Sequence, residues 1–289
     1  MGTLRLIRER KLAELLTRPG EHGVLEASGV FARGRDCLVI FDNYRRVACV
    51  DRSLSTASAR NRWVGRARVG EGYEDIAFSP HTRRYYLLVE AEKHSDGTYR
   101  AVIDEVDEAF AYKERRWVDI TFEKRNTGLE GLAAVRWRGE NYLLALCEGN
   151  RCRGGKKGRK PGGGRLHVLQ KKGGWWSSLT RIKLPRRLRF EDYAAVALRG
   201  DRIAVVSQQT SRLWVGTLRP SDWTIVGPGR QYDFPRTKRG KRQYCTVEGV
   251  SWISEDTLVM VSDKSKPYQA GRCNRKEQSI HIFQLPAGR

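Results

Sequence analysis

"GLEGLAAVRWRGENYLLALCEGN", residues 128–150, contains two short apolar runs, with Glu130 at the start of the first and Glu148 at the end of the second. The order of an apolar residue, an acid and a short apolar run recurs five times along the chain. The copies are LEASGV from Leu25, YEDIAF from Tyr73, LEGLAAV from Leu129, FEDYAAV from Phe190 and VEGVSWI from Val247. The chain is therefore built from repeated units, whose acids are spaced 48 to 61 residues apart.

Each copy is followed by a second apolar run, and usually by a third and a fourth. The second runs are DCLVIFDN, RYYLLVEAEK, NYLLALCEGN, RIAVVSQQT and TLVMVSDKS. A period of about 40 to 60 residues with four strands in each unit is typical of a β-propeller. The sequence predicts one all-β domain over residues 1–289, a five-bladed β-propeller with four-stranded blades. The blade units start near residues 24, 72, 128, 189 and 246.

The last unit offers only three strands before the chain ends. We expect residues 4–16, which precede the first copy, to supply the missing strand and to close the ring without an open sheet edge. The alternative is an N-terminal helix, because Leu4, Ile7, Leu12, Leu15 and Leu16 roughly follow a helical stripe.

Two rings of polar side chains are expected at one mouth of the channel. The first strand of each blade lines the channel and the second runs antiparallel beside it, so the start of one and the end of the other share a face. The inner ring is Glu26, Glu74, Glu130, Glu191 and Glu248. The outer ring is Asn43 (or Asp42), Glu92, Glu148, Gln208 and Asp263.

Two interpretations of these rings remain open. The acids can accept hydrogen bonds from backbone N–H groups and tie blade to blade. Alternatively they hold a hard cation, since crowded carboxylates repel one another and Ca²⁺ takes six to eight oxygen ligands. In the second interpretation the metal ligands are Glu26, Glu74, Glu130, Glu191, Glu248, Asn43, Glu92, Glu148 and Asp263. Glu130, Glu148 and His94, which lies in the loop after Glu92, are then the catalytic candidates.

The chain has a formal net charge of +22, and almost all of it falls in loops that we assign to the same mouth. Such a surface favours an anionic small molecule or a polyanion as partner, with nucleic acid among the candidates. Candidate anion-binding residues lie in the two richest loops and beside Asp263. They are Arg151, Arg153, Lys156, Lys157, Lys238, Arg239, Lys241 and Lys264.

The pairs LEGLAAV with LLALCEGN, YEDIAFS with LLVEAEK, and VEGVSWI with LVMVSDK resemble strand pairs of known propellers. They are similar to the SdiA-regulated propeller family and the phytase-like esterase family, whose blades carry E-G-[ILV]-A and a second strand ending in Asp or Glu. The resemblance implies a calcium-binding propeller with ester or phosphoester hydrolysis. It places metal or substrate contacts at Glu130, Glu148, Glu248 and Asp263, whereas Gln208 and Ser28 depart from the pattern.

Two functions from different classes follow. The first is a hydrolase-like propeller, dependent on a metal such as Ca²⁺, which acts on an anionic ester, phosphorylated or not, at the acidic channel mouth. The alternative is a non-catalytic propeller whose basic face holds nucleic acid or another polyanion. No P-loop, GxSxG or HExxH motif occurs, so a nucleotide cofactor, a serine hydrolase and a zincin have no support.

The remaining expectations concern compartment and cysteines. The charged N-terminus does not resemble a signal peptide, and no apolar run is long enough to span a membrane, so we expect a cytoplasmic monomer. The six cysteines contain no C-x-x-C pair and only five histidines occur, which argues against a zinc site. In a cytoplasmic protein the cysteines are expected to be thiols.

Overall fold

The structure is a computed structural model that describes residues 2–17, 23–68, 72–125 and 127–287, and its regular structure is almost entirely β. Each repeated phrase lies in, or directly before, the first strand of an antiparallel meander. The first meander consists of β3 (Ala27–Arg33), β4 (Asp36–Phe41), β5 (Tyr44–Asp51) and β6 (Arg62–Arg68). The second consists of β7 (Asp75–Ser79), β8 (Arg84–Lys93), β9 (Tyr99–Asp107) and β10 (Tyr112–Phe122).

The third and fourth meanders repeat this order. The third consists of β11 (Leu129–Trp137), β12 (Glu140–Cys147), β13 (Arg165–Lys172) and β14 (Trp175–Lys183). The fourth consists of β15 (Ala195–Arg199), β16 (Arg202–Ser207), β17 (Arg212–Arg219) and β18 (Thr224–Asp233). Two short helices lie between β12 and β13, a 3₁₀ turn at Asn150–Cys152 and α2 at Gly155–Gly158. The second and third meanders share one sheet, because Val118 of β10 pairs with Trp176 of β14.

The N-terminal segment completes the fourth and fifth meanders. The fifth contains β19 (Val247–Trp252), β20 (Thr257–Ser262) and β21 (Ser279–Gln284). Its fourth strand is β2 (Arg5–Lys11), which pairs antiparallel with β21, while β1 (Gly2–Thr3) runs parallel to the edge of β18. The helical stripe accounts for one turn only, α1 (Leu12–Leu15), whose Leu12 and Leu15 are buried. Residues 4–16 are therefore a strand followed by a helical turn.

The meanders follow one another in a ring. The first strand of each contacts the first strands of two others, in the cyclic order β3, β7, β11, β15, β19 and β3 again. Five buried apolar clusters lie between successive meanders, and one of them joins the fifth meander to the first. The second strands are apolar on both faces because each packs between two neighbours: Leu143–Cys147 are fully buried. This arrangement is that of a β-propeller.

Small residues allow the first strands to meet at the axis. A Cβ added to Gly249 would lie 2.9 Å from Cα of Gly29, and one added to Gly131 would lie 2.9 Å from N of Val196. A larger residue there would force backbones of different meanders apart. The glycine that follows Glu130 and Glu248 in the repeated phrase is thus explained by this close approach.

Four of the six cysteines are paired, which differs from the expected free thiols. Cys147 forms a disulfide with Cys152, and Cys245 forms one with Cys273, whereas Cys37 and Cys49 are buried thiols. The fold causes both pairings, since it brings a loop cysteine back against a strand end or against a second loop. Among the described residues, no helix is long and apolar enough to cross a membrane.

Candidate metal centre

Glutamates of three first strands occupy equivalent places. In β11 and β19 the pairing with the second strand skips one residue, Glu130 or Glu248, so that a β-bulge re-aims its side chain. In β3 the skipped residue is Ser28. Glu74 holds the corresponding place before β7, where its N–H donates to Leu88 O at 2.8 Å.

A second set of acids stands where the second strands end. Asp42, Glu148 and Asp263 directly follow β4, β12 and β20, and the backbone N–H of each donates to a carbonyl just before the facing first strand. Glu90 occupies this place in β8, because it comes two residues after Leu88, the partner of Asp75. Gln208 occupies it after β16, and its side-chain amide donates to Glu248 Oε1.

These side chains form what we call the central acid cluster. Its eight carboxylates are Glu26, Asp42, Glu74, Glu90, Glu130, Glu148, Glu248 and Asp263. Carboxylate oxygens of Glu90, Glu130 and Glu148 lie within 4.8 Å of one another, as do those of Glu26, Asp42 and Asp263. The two triplets interact through Glu74 and Glu248: the charges of Asp263 and Glu148 act on Glu74, and that of Asp263 acts on Glu248, whose own charge acts on Glu130.

Burial, and then the charge of neighbouring carboxylates, raises the pKa of Asp42 to about 8, of Glu74 to about 7 and of Glu90 to about 9. The same causes hold the pKa values of Glu130 and Glu248 well above the usual range for a glutamate. Near neutral pH the cluster therefore has to take up protons or a cation.

One acid at the axis serves the other interpretation, that of a structural tie. Asp75 is 1% exposed, and its two carboxylate oxygens accept hydrogen bonds from Ile76 N at 2.8 Å and Leu132 N at 2.7 Å. It therefore links the second meander to the third. The repeated phrase predicts a site at Glu74 but not at Asp75. The signal for Asp75 was an acid at the position where other copies have Gly29, Gly131 and Gly249.

Basic side chains flank the cluster at two places. Lys266 Nζ lies 2.9 Å from Asp263 Oδ2; burial lowers the pKa of this lysine, but the hydrogen bond to Asp263 and the charges of the neighbouring acids outweigh it and leave the pKa raised. On the other side of the cluster, burial and the charge of Asp192 raise the pKa of Glu148. The charge of Arg159 opposes them and lowers this pKa by a smaller amount. Lys264 Nζ is 4.0 Å from Glu26. Of these three residues, Lys264 alone is among the anion-binding candidates predicted from the sequence.

Three predicted ring members lie outside the cluster. Asn43 is one residue too far along, and its side chain donates to Val24 O at 3.0 Å while Asp42 takes its place. Glu92 is displaced by Glu90 and forms ion pairs with Arg45 at 2.5 Å and Arg115 at 2.6 Å. Glu191 is exposed. The three predicted positions are wrong for one reason. Bulges and strand ends shift the register of each meander by one or two residues, and the amino-acid sequence does not show these shifts.

The residue next to Glu191 is buried instead. Asp192 accepts hydrogen bonds from Ser207 Oγ at 2.5 Å and from Gln209 N at 3.1 Å. Burial raises its pKa to about 6, and its charge in turn raises the pKa of Glu148. In the fourth meander the buried acid is therefore Asp192, one position later in the repeated phrase than the glutamate of the other copies.

His94 is set apart from the acids. Its Nδ1 lies 3.1 Å from Asp96 Oδ1, and its ring centroid is 4.9 Å from that of Trp117 and 5.4 Å from that of Trp175. Within the described ranges these contacts belong to the seam between the second and third meanders, and none of them is a cluster member. The structure therefore gives His94 a packing role.

The basic loops are folded segments. Buried Asn150 holds the loop 150–165 together, since its Nδ2 donates to Gly158 O at 2.8 Å and to Phe190 O at 3.1 Å, and its Oδ1 accepts from Gly163 N at 2.8 Å. The eight residues selected as anion-binding candidates are all exposed. In the part of the chain that is described, Lys264 alone among these eight lies within 4.0 Å of a carboxylate. The others keep their charge available to a ligand.

The fold, but not the sequence, is similar to known proteins. No protein-family model and no curated protein matches the sequence. Glutaminyl cyclase of Myxococcus xanthus superposes with a TM-score of 0.52 over 98% of this chain and 97% of its own, at 12% identity. Luciferin-regenerating enzyme superposes with a TM-score of 0.52 over 97% and 96%, also at 12% identity. This likeness supports the β-propeller fold.

Proposed function

We propose that this chain is a five-bladed β-propeller whose central acid cluster binds a hard divalent cation, Ca²⁺, and that it hydrolyses an anionic, phosphorylated or carboxylated ester there. One observation carries the proposal. Glu90, Glu130 and Glu148, from two adjacent meanders, bring carboxylate oxygens within 4.8 Å of one another at the end of the channel. Each has a raised pKa because it is buried among other acids, and a cation would relieve this repulsion.

The donor set fits a hard cation. All ligand atoms of the cluster are carboxylate oxygens, and Ca²⁺ takes six to eight oxygen ligands at about 2.3–2.6 Å. Oδ1 of Asp263, a residue 1% exposed, has no hydrogen-bond partner among the described residues, and the same holds for buried Oδ1 of Asp42. Buried acceptors without a donor are costly, and a cation would satisfy them. These two oxygens belong to the triplet around Asp263, where Lys266 also supplies positive charge, whereas the triplet around Glu130 consists of three carboxylates with raised pKa values.

The chain's own residues suit an anionic substrate. A bound cation would supply Lewis-acid polarisation of an ester or phosphoryl oxygen. Arg159 and Lys266, on opposite sides of the cluster, are placed to hold the anionic group of the substrate. Glu74, with a pKa of about 7, and Asp192, with a pKa of about 6, are suited to accept a proton near neutral pH.

The resemblance of the strand pairs to the SdiA-regulated and phytase-like esterase families supports the same reaction class. The five meanders in cyclic contact support five blades, with β2 as the last strand of the fifth. The two superposed proteins are enzymes by name, a cyclase and a luciferin-regenerating enzyme, and the similarity to them is one of fold.

The experiment combines metal content with a substrate panel. Protein purified without chelator is analysed for bound metal, then tested with phosphomonoesters, phosphodiesters, carboxylic esters and lactones, with added Ca²⁺ and after chelation. We expect bound Ca²⁺ and an activity that chelation removes and Ca²⁺ restores. Glu130→Gln should lose both, and Glu191→Gln, which changes an exposed glutamate outside the cluster, should keep both. Absence of bound metal together with activity that resists chelation would exclude the proposal.

A second candidate, a polyanion-binding propeller, is favoured by the unpaired charge of the mouth loops. Arg151, Arg153, Lys156 and Lys157 are exposed, and none has a carboxylate within 4.0 Å among the residues described. Surfaces of this kind attract phosphate backbones regardless of sequence. Binding of single-stranded nucleic acid or polyphosphate, without hydrolysis of any ester in the panel, would favour this function over the first.

A further inference from the structure

Three potential metal ligands meet in the third meander, where β12 ends one residue before Glu148 of the central acid cluster. Cys147 is the last residue of β12, Cys152 closes the 3₁₀ turn that follows, and His167 lies in β13 opposite Ala145. His167 Nε2 is 3.5 Å from Cys152 Sγ, and the ligand atoms of all three residues lie within 4.8 Å of one another. Two thiolates and one imidazole are a known donor set for Zn²⁺.

The fifth meander provides an internal comparison. Ser262 ends β20 as Cys147 ends β12, and His281 lies in β21 where His167 lies in β13. There Ser262 Oγ and His281 Nε2 are 2.9 Å apart, and His281 Nδ1 is 3.3 Å from Glu9 Oε2. That arrangement ties three strands by hydrogen bonds. The third meander replaces the serine by a cysteine and adds a second cysteine from the loop, a change that a structural tie does not need.

The histidine is prepared for ligation. Its Nδ1 lies 2.7 Å from Ser178 Oγ, so that Nε2 faces the sulfurs, and Ser178 is itself held by a hydrogen bond from its N–H to Asp119 at 2.9 Å. Metal-bound histidines commonly have the second nitrogen fixed in this way. Burial lowers the pKa of His167 to about 4, which leaves the ring neutral at physiological pH.

The loop holds Cys152 in place by its backbone. Arg151 and Cys152 have φ angles of 60° and 55°, in the left-handed region that non-glycine residues rarely adopt. Consecutive residues of this kind persist where the surroundings fix them, and here Asn150 does so through its hydrogen bonds to Gly158, Phe190 and Gly163. The sulfur is thereby directed at Cys147 and His167.

We propose that Cys147, Cys152 and His167 form a binding site for a thiophilic divalent cation, Zn²⁺, when the Cys147–Cys152 disulfide is reduced. A dithiol donates two electrons and two protons to the disulfide and becomes a disulfide itself. The two resulting thiols lose their protons on binding Zn²⁺. With Zn–S bonds of about 2.3 Å the sulfurs separate to about 3.8 Å. Half-buried Cys152 leaves the fourth position to solvent, so the site interconverts between a disulfide and a metal-bound state.

The other cysteines serve as controls because they lack this setting. Among the described residues, no histidine or carboxylate forms a group of three possible ligands, with atoms within 4.8 Å of one another, together with Cys245 and Cys273. Cys37 and Cys49 are buried thiols whose pKa values burial raises to about 12 and about 11, which disfavours the thiolate that a metal needs.

The test uses the full chain, reduced by a dithiol and freed of reductant without oxygen. Co²⁺ is then titrated as a probe, and Zn²⁺ is added to displace it. We expect one equivalent of Co²⁺ with thiolate-to-cobalt charge-transfer absorption, lost on displacement. Cys152→Ser and His167→Gln should weaken binding at least tenfold, whereas the double variant Cys245→Ser, Cys273→Ser should bind as the parent does.

Binding by the acids of the channel gives no thiolate absorption, so failure of the proposed calcium site and failure of this one are distinguished. Reduced protein that shows no thiolate absorption would overturn the proposal. So would a Cys147–Cys152 disulfide that the dithiol does not reduce, or equal absorption in the Cys152→Ser variant.

Discussion

Asp75 Oδ2 accepts a 2.7 Å hydrogen bond from the backbone N–H of Leu132, while Glu74, the adjacent residue, takes part in the central acid cluster. Two neighbouring acids thus have opposite roles. Asp75 is paired with backbone donors of other strands and ties the meanders together. Glu74 faces other carboxylates, and burial together with the charges of Asp263 and Glu148 raises its pKa.

Asp75→Ala should therefore destabilise the fold much more than Glu74→Gln. The alanine leaves the buried N–H groups of Leu132 and Ile76 without an acceptor, and each such group costs about 1–3 kcal/mol. Urea unfolding monitored by tryptophan fluorescence measures the difference, with Glu191→Gln as the neutral control. Equal losses for Asp75→Ala and Glu74→Gln would contradict the distinction between a tie and a ligand.

Much of this arrangement could be predicted from the repeat. The alternation and spacing of apolar runs depend on burial alone, so they indicated the strands, the five units and the acids at Glu74, Glu130, Glu148 and Glu248. Exact register depends on backbone pairing. The apolar pattern therefore predicts Asn43, with Asp42 as its alternative, and Glu92 at the places that Asp42 and Glu90 occupy, because a bulge or a strand end shifts the pairing by one or two residues without changing that pattern.

Contacts between segments that are distant in the chain could not be predicted from the sequence. Cys152 faces His167 because the loop folds back around Asn150. The sequence contains no C-x-x-C pair that would indicate a metal site there. Lys266 and Arg159 reach the acids from loops whose sequences indicate only a run of basic residues. The reason is general: periodicity reports which face of a strand is buried, and loop geometry has no comparable period.

Glu130→Gln should weaken Ca²⁺ binding by at least about tenfold, because even changes to groups that only support a metal's ligands cost about 10–100-fold. Glutamine keeps the size and one acceptor oxygen but removes a charge. Because a cation that binds only the folded state stabilises it by mass action, the rise in melting temperature with Ca²⁺ should shrink in parallel. Calorimetric titration and melting curves provide the measurement. The matched variant Glu191→Gln should retain the parent affinity, and a similar loss in both variants would argue against a site at Glu130.

The stability of the metal-free protein should fall as pH rises from 5 to 9. The folded-state pKa values of Asp42, Glu74 and Glu90, about 8, 7 and 9, lie above their ordinary values of 3.8, 4.5 and 4.5. In this window the folded state binds more protons than the unfolded chain, so the stabilising contribution is complete below about pH 4 and disappears through pH 7–9. Saturating Ca²⁺ should remove most of the loss, since it replaces the protons. Urea unfolding at both pH values tests this, and a metal-free protein that is more stable at pH 9 would refute it.

Replacing the six Lys and Arg residues of 151–160 by Ser or Gln should weaken binding to polyphosphate or single-stranded nucleic acid. Each phosphate contact contributes about −0.7 to −0.9 to the slope of log affinity against log salt, so the slope should flatten by several units if most of the six take part. Fluorescence anisotropy at several salt concentrations measures it. Lys172→Gln with Lys183→Gln, which removes two exposed positive charges of β13 and β14, controls for charge lost outside this loop. An unchanged slope in the six-residue variant would show that this loop only solubilises the protein.

Deleting residues 1–16 should unfold the protein. The deletion removes β2, the partner of β21, and exposes that edge, and it strips four buried leucines, Leu4, Leu12, Leu15 and Leu16, from the clusters that join the fifth meander to its neighbours. Each buried leucine contributes about 2–5 kcal/mol, against a total stability of about 5–15 kcal/mol for a typical protein. A synthetic peptide of residues 1–17, added in trans, should restore the near-ultraviolet circular dichroism of the truncated chain. Glu9→Gln is the milder test, because Glu9 accepts from Tyr244 Oη at 3.2 Å and pairs with Lys276, and it should lose about 1–3 kcal/mol while still folding. A truncated protein that unfolds cooperatively at the parent's urea midpoint would show that the ring closes without its N-terminal strand.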